Sequence, residues 1–308
     1  MWLVLTLVSM FAWGCADVFY KIGMSDDDPD NWLKIAVVLG LMMGLLVPLL
    51  SPFSDSGASI PVLMKNNMLF MIVPVAYAVA MTFSNIGLKY LELSIFSPVM
   101  NASGAFPVVF LILYYIATGR ASSLQEEVSF IDAAGAVMVI VSVIILALIE
   151  QKLSGQELHK GAKYLLYPLM FCIVDTIETV VCAIILDDGG VGEADLVILY
   201  GAVFLATGLI CWVYLFMKTG KIYNPFARHE VPKWLAAVCE DIAYVAYVFA
   251  IARKPLFVAP IIASFCIVSV ILSRIFLHEH IGTARGRCVV AVIIGIIMLG
   301  ISEGLSYV

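Results

Sequence analysis

Charge is what this sequence has least of. Its 308 residues include 17 Lys and Arg and 23 Asp and Glu, 13% of the chain, where soluble domains carry about 25%. With 63% hydrophobic residues, so few charges cannot cover the apolar surface in water, and a disordered chain is excluded by the same figures. There is no basic run and the pI is ≈ 5.2, which leaves no electrostatic footprint for nucleic acid. No G-x-x-x-x-G-K-[ST] loop is present, so ATP hydrolysis within this chain is excluded. The seven cysteines (Cys15, Cys172, Cys182, Cys211, Cys239, Cys266 and Cys288) fall in or at the ends of apolar runs and form no C-x-x-C pair. They read as small packing residues, not as a disulfide framework or a metal site.

What remains is long apolar runs. A membrane-crossing helix needs roughly 20 largely apolar residues. Such runs occur at 2–22, 31–50, 68–90, 93–118, 130–149, 163–186, 195–217, 233–252, 255–277 and 286–305. They are far longer than barrel strands, which run about 9–11 residues with alternating polarity. The expected fold is therefore an all-α, multi-pass membrane protein of ten transmembrane helices. Met1-Trp2-Leu3 opens apolar, with no positive leader, so the first run reads as a retained helix. The connections are too short for a soluble catalytic domain. No enzymatic activity and no cofactor are expected, and the expected partners are the lipid bilayer and a small-molecule solute. Nothing calls for a second subunit, so a monomer is the expectation.

Ten runs divide into five and five, and an odd number per half forces the two halves into opposite orientation. Ser97-Pro98 with Asn101-Ala102-Ser103 opens the fourth run, and Ala259-Pro260 with Ala263-Ser264 sits at similar depth in the ninth. Asp17 and Glu178 share nearly the same offset as the two prolines. Residues 1–150 and 151–308 are thus expected to be two inverted five-helix repeats around a central cavity.

The first run carries Trp13-Gly14 and then Lys21. The second half closes with Leu277-His278-Glu279-His280-Ile281 and a Gly-bearing helix from Arg287 through Gly295 to Gly300. In these features the chain resembles the EamA-like branch of the drug/metabolite transporter superfamily. The resemblance implies ten helices, alternating access and residence in the plasma (inner) membrane. Three places depart from that pattern. His278 stands where the family commonly has Gly, and Asp17 stands where an apolar or aromatic residue is usual. The first half keeps only Thr118-Gly119-Arg120 of its closing turn.

Ionisable residues inside a span are functional candidates by default, since each costs several kcal/mol unless it faces a cavity or a partner. The acidic ones are Asp17, Asp175, Glu178, Glu240 and Asp241; Lys21 and Arg274 lie near span ends, where they can reach the interface. Helical spacing sorts them into faces. Trp13, Asp17, Tyr20 and Lys21 share one. Phe171, Asp175, Glu178, Thr179 and Cys182 share a second, and Glu240, Tyr244 and Tyr247 a third. Asp17 and Lys21, four apart, could instead neutralise one another, and Asp175 could sit at the wet interface. Trp2, Trp32, Tyr90 and Trp234 read as interfacial belt residues.

Aromatic faces beside carboxylates suit an organic cation. The expected solute site is Trp13, Asp17, Tyr20, Tyr77, Glu178, Glu240, Tyr244 and Tyr247, with Asp17, Glu178, Glu240 and Asp241 as candidates for carrying a coupled proton. Pro98, Pro107 and Pro260 are candidate hinges, because a proline frees a carbonyl one turn back. The expected function is secondary active transport of a cationic or zwitterionic amine or metabolite. A lipid flippase, or a carrier of a neutral or anionic metabolite such as a nucleotide sugar, stays open. Lys218, Lys221, Arg228 and Lys233 cluster in one short loop, and by the positive-inside rule residues 218–233 should be cytoplasmic.

Overall fold

The computed structural model describes residues 1–308 except 25–27, 69, 92, 94–95, 98–99, 101–105, 121–129, 158–163, 165, 279–283, 285, 289, 292–293, 296–297 and 299–308. Among the described residues every regular element is helical. The elements are α1 (Trp2–Gly23), α2 (Asn31–Leu50), the short α3 (Ile60–Asn66), α4 (Ile72–Tyr90), α5 (Phe106–Ala117), α6 (Phe130–Glu157), α7 (Leu166–Asp187), α8 (Glu193–Thr219), α9 (Val231–Ile251), α10 (Pro255–Ala263) and α11 (Phe265–Phe276).

Six of the described helices are long and apolar enough to cross a membrane: Trp2–Gly23, Asn31–Phe53, Ile72–Tyr90, Leu166–Asp187, Glu193–Thr219 and Arg228–Ile251. Polarity runs from inside to outside, opposite to a soluble core. α1 turns Val4, Val8 and Phe11 outward, and α8 turns out Ile210, Val213 and Met217, whereas Ser9, Asp17, Glu178, Glu240 and Ser269 are buried. A surface of bare aliphatic side chains over a polar interior is stable only with hydrocarbon as the outer solvent. The chain is an all-α membrane protein.

Packing follows small residues. α2 lies along α8, α1 along α9, and α4 along α7. Where α2 crosses α8, a Cβ added at Gly40 would stand 2.4 Å from the Phe204 carbonyl oxygen and 2.7 Å from the Gly208 Cα. The two backbones touch there because neither residue carries a side chain. Gly44, one turn further along α2, meets Leu205. Without a hydrophobic force between helices in lipid, this close approach is what supplies van der Waals attraction.

Helix ends follow local chemistry. Glu193 and Asp195 put negative charge in the first turn of α8, next to the positive end of its dipole. Asp195 also accepts from Ser54 Oγ at 2.5 Å and the Ser56 backbone N–H at 3.0 Å, which ties the α2–α3 connection down. Gly220, at φ 67°, ends α8 in the left-handed cap that a β-carbon would strain. Pro232 and Pro255 sit in the first turns of α9 and α10, where a missing N–H leaves no bond unmade.

The expected spans differ from the structure in detail. The fifth extends, as helix, to Glu157. The ninth is two helices broken at Ser264, whose hydroxyl bonds back to the Ile261 carbonyl and also reaches the Met10 sulfur. That back-bond competes with the main-chain ladder. α10 runs through Pro260, so the break falls four residues after the expected hinge. Pro107 is the second described residue of α5, and the residues before Phe106 at 101–105 lie outside the described residues. Pro98 and most of the tenth span lie outside the described residues.

Candidate functional site

The helices close around one central cavity with a volume of about 730 Å³, counted to its open mouth. α1 contributes Trp13, Asp17 and Tyr20; α4 contributes Tyr77, Met81 and Ser84; α7 contributes Phe171, Asp175, Glu178 and Thr179; α9 contributes Glu240, Tyr244 and Tyr247. Met100, Pro107, Ala259, Ile262 and Phe265 complete the wall. All eight residues of the expected solute site line this one space, although they come from four helices up to 234 positions apart in sequence. Asp175 lines it too.

Asp241 is not among the lining residues. Adjacent positions on a helix point about 100° apart, so directing Glu240 into the cavity turns Asp241 away from it. Its side chain is buried and neither carboxyl oxygen has a hydrogen-bond partner.

Glu240, Asp17 and Glu178 are each held differently. Glu240 accepts from Trp13 Nε1 at 2.8 Å and from the Tyr77 hydroxyl at 2.5 Å; both fall on Oε1, and Oε2 takes neither. Asp17 accepts from Ser97 Oγ and Ser269 Oγ, each at 2.7 Å and each on Oδ2. Glu178 accepts from the hydroxyls of Tyr200 and Thr179. The alternative pairing of Asp17 with Lys21 is replaced by other partners. The Lys21 ammonium donates to the carbonyls of Leu88 and Leu91 at 2.7 and 2.8 Å, closing the C-terminal end of α4.

Aromatic rings pack tightly around these acids. Trp13 and Tyr247 have centroids 5.4 Å apart, Tyr77 and Tyr244 5.6 Å, and Tyr200 and Tyr244 4.3 Å. The hydroxyls of Tyr20, Tyr244 and Tyr247 are buried and make no hydrogen bond. Tyr244 comes near Tyr200, and Tyr247 near Thr179, without reaching hydrogen-bonding geometry. Among the described residues, no Lys, Arg or His lines the cavity.

Among the solved structures whose fold resembles this one is a protein of 12% sequence identity. Described only as "Crystal structure of protein", it superposes with a TM-score of 0.63 over 96% of this chain and 94% of its own. Likeness at that identity is likeness of fold. No family model and no curated protein matches the chain.

Tyr200, Ser97 and Ser269 were not legible as site residues. Tyr200 stands alone in the apolar run Leu196–Leu205 of α8, with no charged neighbour in sequence to mark it. The two serines are ordinary span residues until the fold brings them to Asp17. Trp2 and Trp234 do sit at helix ends, against Phe257 and hydrogen-bonded to the Pro225 carbonyl respectively.

At one end of the helices, α5 and α7 are joined outside the cavity. Arg120 pairs with Asp187 and Asp188, each at 2.9 Å, and Tyr114 donates to Asp188 at 3.0 Å. The Tyr114 hydroxyl and the Arg120 guanidinium hold the Asp188 carboxyl below the usual carboxylate range. At the other end Lys34 pairs with Asp28 at 2.5 Å, Lys218 with Asp30 at 2.5 Å, and Lys233 with Glu230. Partial burial pushes the Asp28 carboxyl up, but the Lys34 ammonium and the Asp30 backbone N–H outweigh it and leave it lowered.

Proposed function

We propose that this chain is a secondary active transporter for small organic amines, cationic or zwitterionic, of the EamA-like kind. The observation that carries the reading is the cavity itself. Among the described residues, the carboxyl side chains of Asp17, Asp175, Glu178 and Glu240 and the aromatic rings of Trp13, Tyr20, Tyr77, Phe171, Tyr244, Tyr247 and Phe265 surround it, with no Lys, Arg or His in the lining. Carboxylates neutralise an ammonium group, aromatic faces attract it once it is desolvated, and unpartnered phenol oxygens accept its N–H bonds. A phosphate or a nucleotide sugar would call for Arg or Lys instead.

Alternating access needs two bundles that rock about the site, which inverted repeats supply. Helix pairing supports that reading. If the first and second halves exchange, α1 corresponds to α7, α2 to α8, α4 to α9, and α5 to the α10–α11 span. The contact of α1 with α9 is then matched by α7 with α4, that of α1 with α11 by α7 with α5, and that of α2 with α9 by α8 with α4. Asp17 and Glu178 lie on α1 and α7, the two helices that correspond under this exchange, and a proton carried by either could be traded for the solute's positive charge. Residence in the plasma membrane belongs to the same proposal.

The test is a thermal-shift screen of the purified protein against amines, amino acids, nucleosides, sugars and sugar phosphates, followed by uptake into proteoliposomes under an imposed pH gradient. Amines should raise the melting temperature and be taken up against their gradient when the lumen is acidic. Stabilisation by sugar phosphates and not by amines would overturn the assignment.

A further inference from the structure

Away from the cavity, the connection between α8 and α9, residues 220–230, is fastened by a tryptophan from each helix it joins. Trp212 Nε1 on α8 donates to the Tyr223 carbonyl at 3.0 Å, and Trp234 Nε1 on α9 donates to the Pro225 carbonyl at 2.8 Å. The Phe226 ring stacks on Trp234, with centroids 5.4 Å apart and planes 18° from parallel. Pinned in this way, the connection still leaves Ile222 78% and Phe226 73% exposed. Both tryptophans stand beside side chains that face lipid. Trp234 is one helical turn from the exposed Val231 and Val238, and Trp212 one turn from the exposed Leu209 and Phe216. The connection therefore carries the apolar surface of the two helices past their ends.

The same segment carries positive charge that the protein does not neutralise. No acidic residue occurs from Lys218 to His229. Lys218 is engaged by Asp30 and Lys233 by Glu230. Lys221 and Arg228 are exposed and form no ion pair among the described residues. Lys221 adjoins Ile222, and Arg228 follows Phe226 by two positions. Each unpaired cation thus has an exposed apolar side chain within two residues of it. A soluble anion would neutralise the cations and leave Ile222 and Phe226 in water. A zwitterionic lipid would cover the apolar side chains and bring no net charge to the cations.

We propose that the α8–α9 connection binds anionic phospholipid, with acyl chains against Ile222 and Phe226 and headgroup phosphates at Lys221 and at Arg228. Tryptophans at the boundary and basic residues just outside it are the residue types that hold a protein to an anionic membrane surface. The site shares no residue with the cavity lining, so it stands whatever solute the cavity carries.

The experiment follows the melting temperature of the purified protein in a neutral detergent. Dioleoyl phosphatidylglycerol, dioleoyl phosphatidylcholine or soluble glycerol phosphate is added in increasing amount. In the parent, half-maximal stabilisation should need at least about fivefold less phosphatidylglycerol than phosphatidylcholine, from the attraction of two cations to the headgroup. Glycerol phosphate should leave the melting temperature unchanged. The double variant Lys221→Gln, Arg228→Gln should bring the two lipids within about twofold of each other, and each single variant should lower the preference part of the way. Both side chains are exposed and unpaired, so these changes leave the packing intact. Lys65→Gln, at an exposed lysine on α3, should keep the parent preference. Equal midpoints for the two lipids in the parent overturn the proposal. A preference that survives the double variant also overturns it, because the anionic lipid then binds elsewhere. If glycerol phosphate reproduces the shift, the ligand is a soluble anion and the lipid assignment fails.

Discussion

At the scale of single residues, Glu240 has the most to do. Two donors on one oxygen, from α1 and α4, fix its carboxyl in space and leave the other oxygen outside both bonds. A proton and an ammonium compete for such a group, so amine binding should weaken as pH falls and strengthen as it rises. Glu240→Gln keeps the shape and the hydrogen-bonding oxygen but removes the charge. Binding of an alkylamine should then drop by about 1.5–3 kcal/mol, roughly ten- to hundredfold, and its pH dependence should flatten. Titrating the parent and the variant across pH by calorimetry checks both. An unchanged affinity with an unchanged pH profile would mean that Glu240 is a structural anchor for Trp13 and Tyr77. The face that carries Glu240 was legible in the sequence, because i, i+4 and i+7 spacing puts Glu240, Tyr244 and Tyr247 on one side of a helix whatever it packs against. The opposite fates of Glu240 and Asp241 were not legible, since both are buried and only the neighbouring helices decide which one meets open space.

At the scale of elements, the seam between α2 and α8 sets how closely the bundle can close. A methyl group at Gly40 would need to occupy space held by the Phe204 carbonyl, which is backbone and cannot swing aside. Gly40→Ala should therefore push the two helices apart and destabilise the protein by about 1–3 kcal/mol, the usual range for overpacking. Gly57→Ala is the comparison on the same chain: its Cβ would meet nothing within 4 Å, and only its φ of 60° resists substitution. Melting temperatures in one detergent, measured alongside binding, would show Gly40→Ala losing the larger share. The Gly40-x-x-x-Gly44 spacing is present in the sequence as a small-residue stripe. Its partner on α8 is spread over Gly201, Leu205 and Gly208 and becomes visible only once the helices are side by side. The break at Ser264 was likewise hidden behind Pro260, because a proline marks where one main-chain bond is missing and not where the helix gives way.

At the scale of the whole molecule, charge is distributed unevenly between the two ends of the bundle. The end bearing residues 218–233 gathers Lys34, Lys218, Lys221, Arg228 and Lys233, several tied to Asp28, Asp30 and Glu230. By the positive-inside rule that end should face the cytoplasm and the N-terminus the other side. A cysteine placed at Asn224 in a cysteine-free background should react with a membrane-impermeant maleimide only after cells are opened, and one placed before Trp2 should react in intact cells. The reverse pattern would invert the orientation. That the chain enters a membrane, as helices, was determined by the sequence alone, because apolar runs of about 20 residues with so few charges have no other solvent and no other way to satisfy their backbone. The sequence also determined which face of each helix carries acids and rings, since helical periodicity is a local property. Only the tertiary structure decided that Trp13, Asp17, Tyr77, Glu178 and Glu240 surround one space, that Tyr200 and two serines hold the acids, and that Asp241 stands apart. Those are contacts between helices distant in the chain, and they depend on which backbones can approach closely enough to touch.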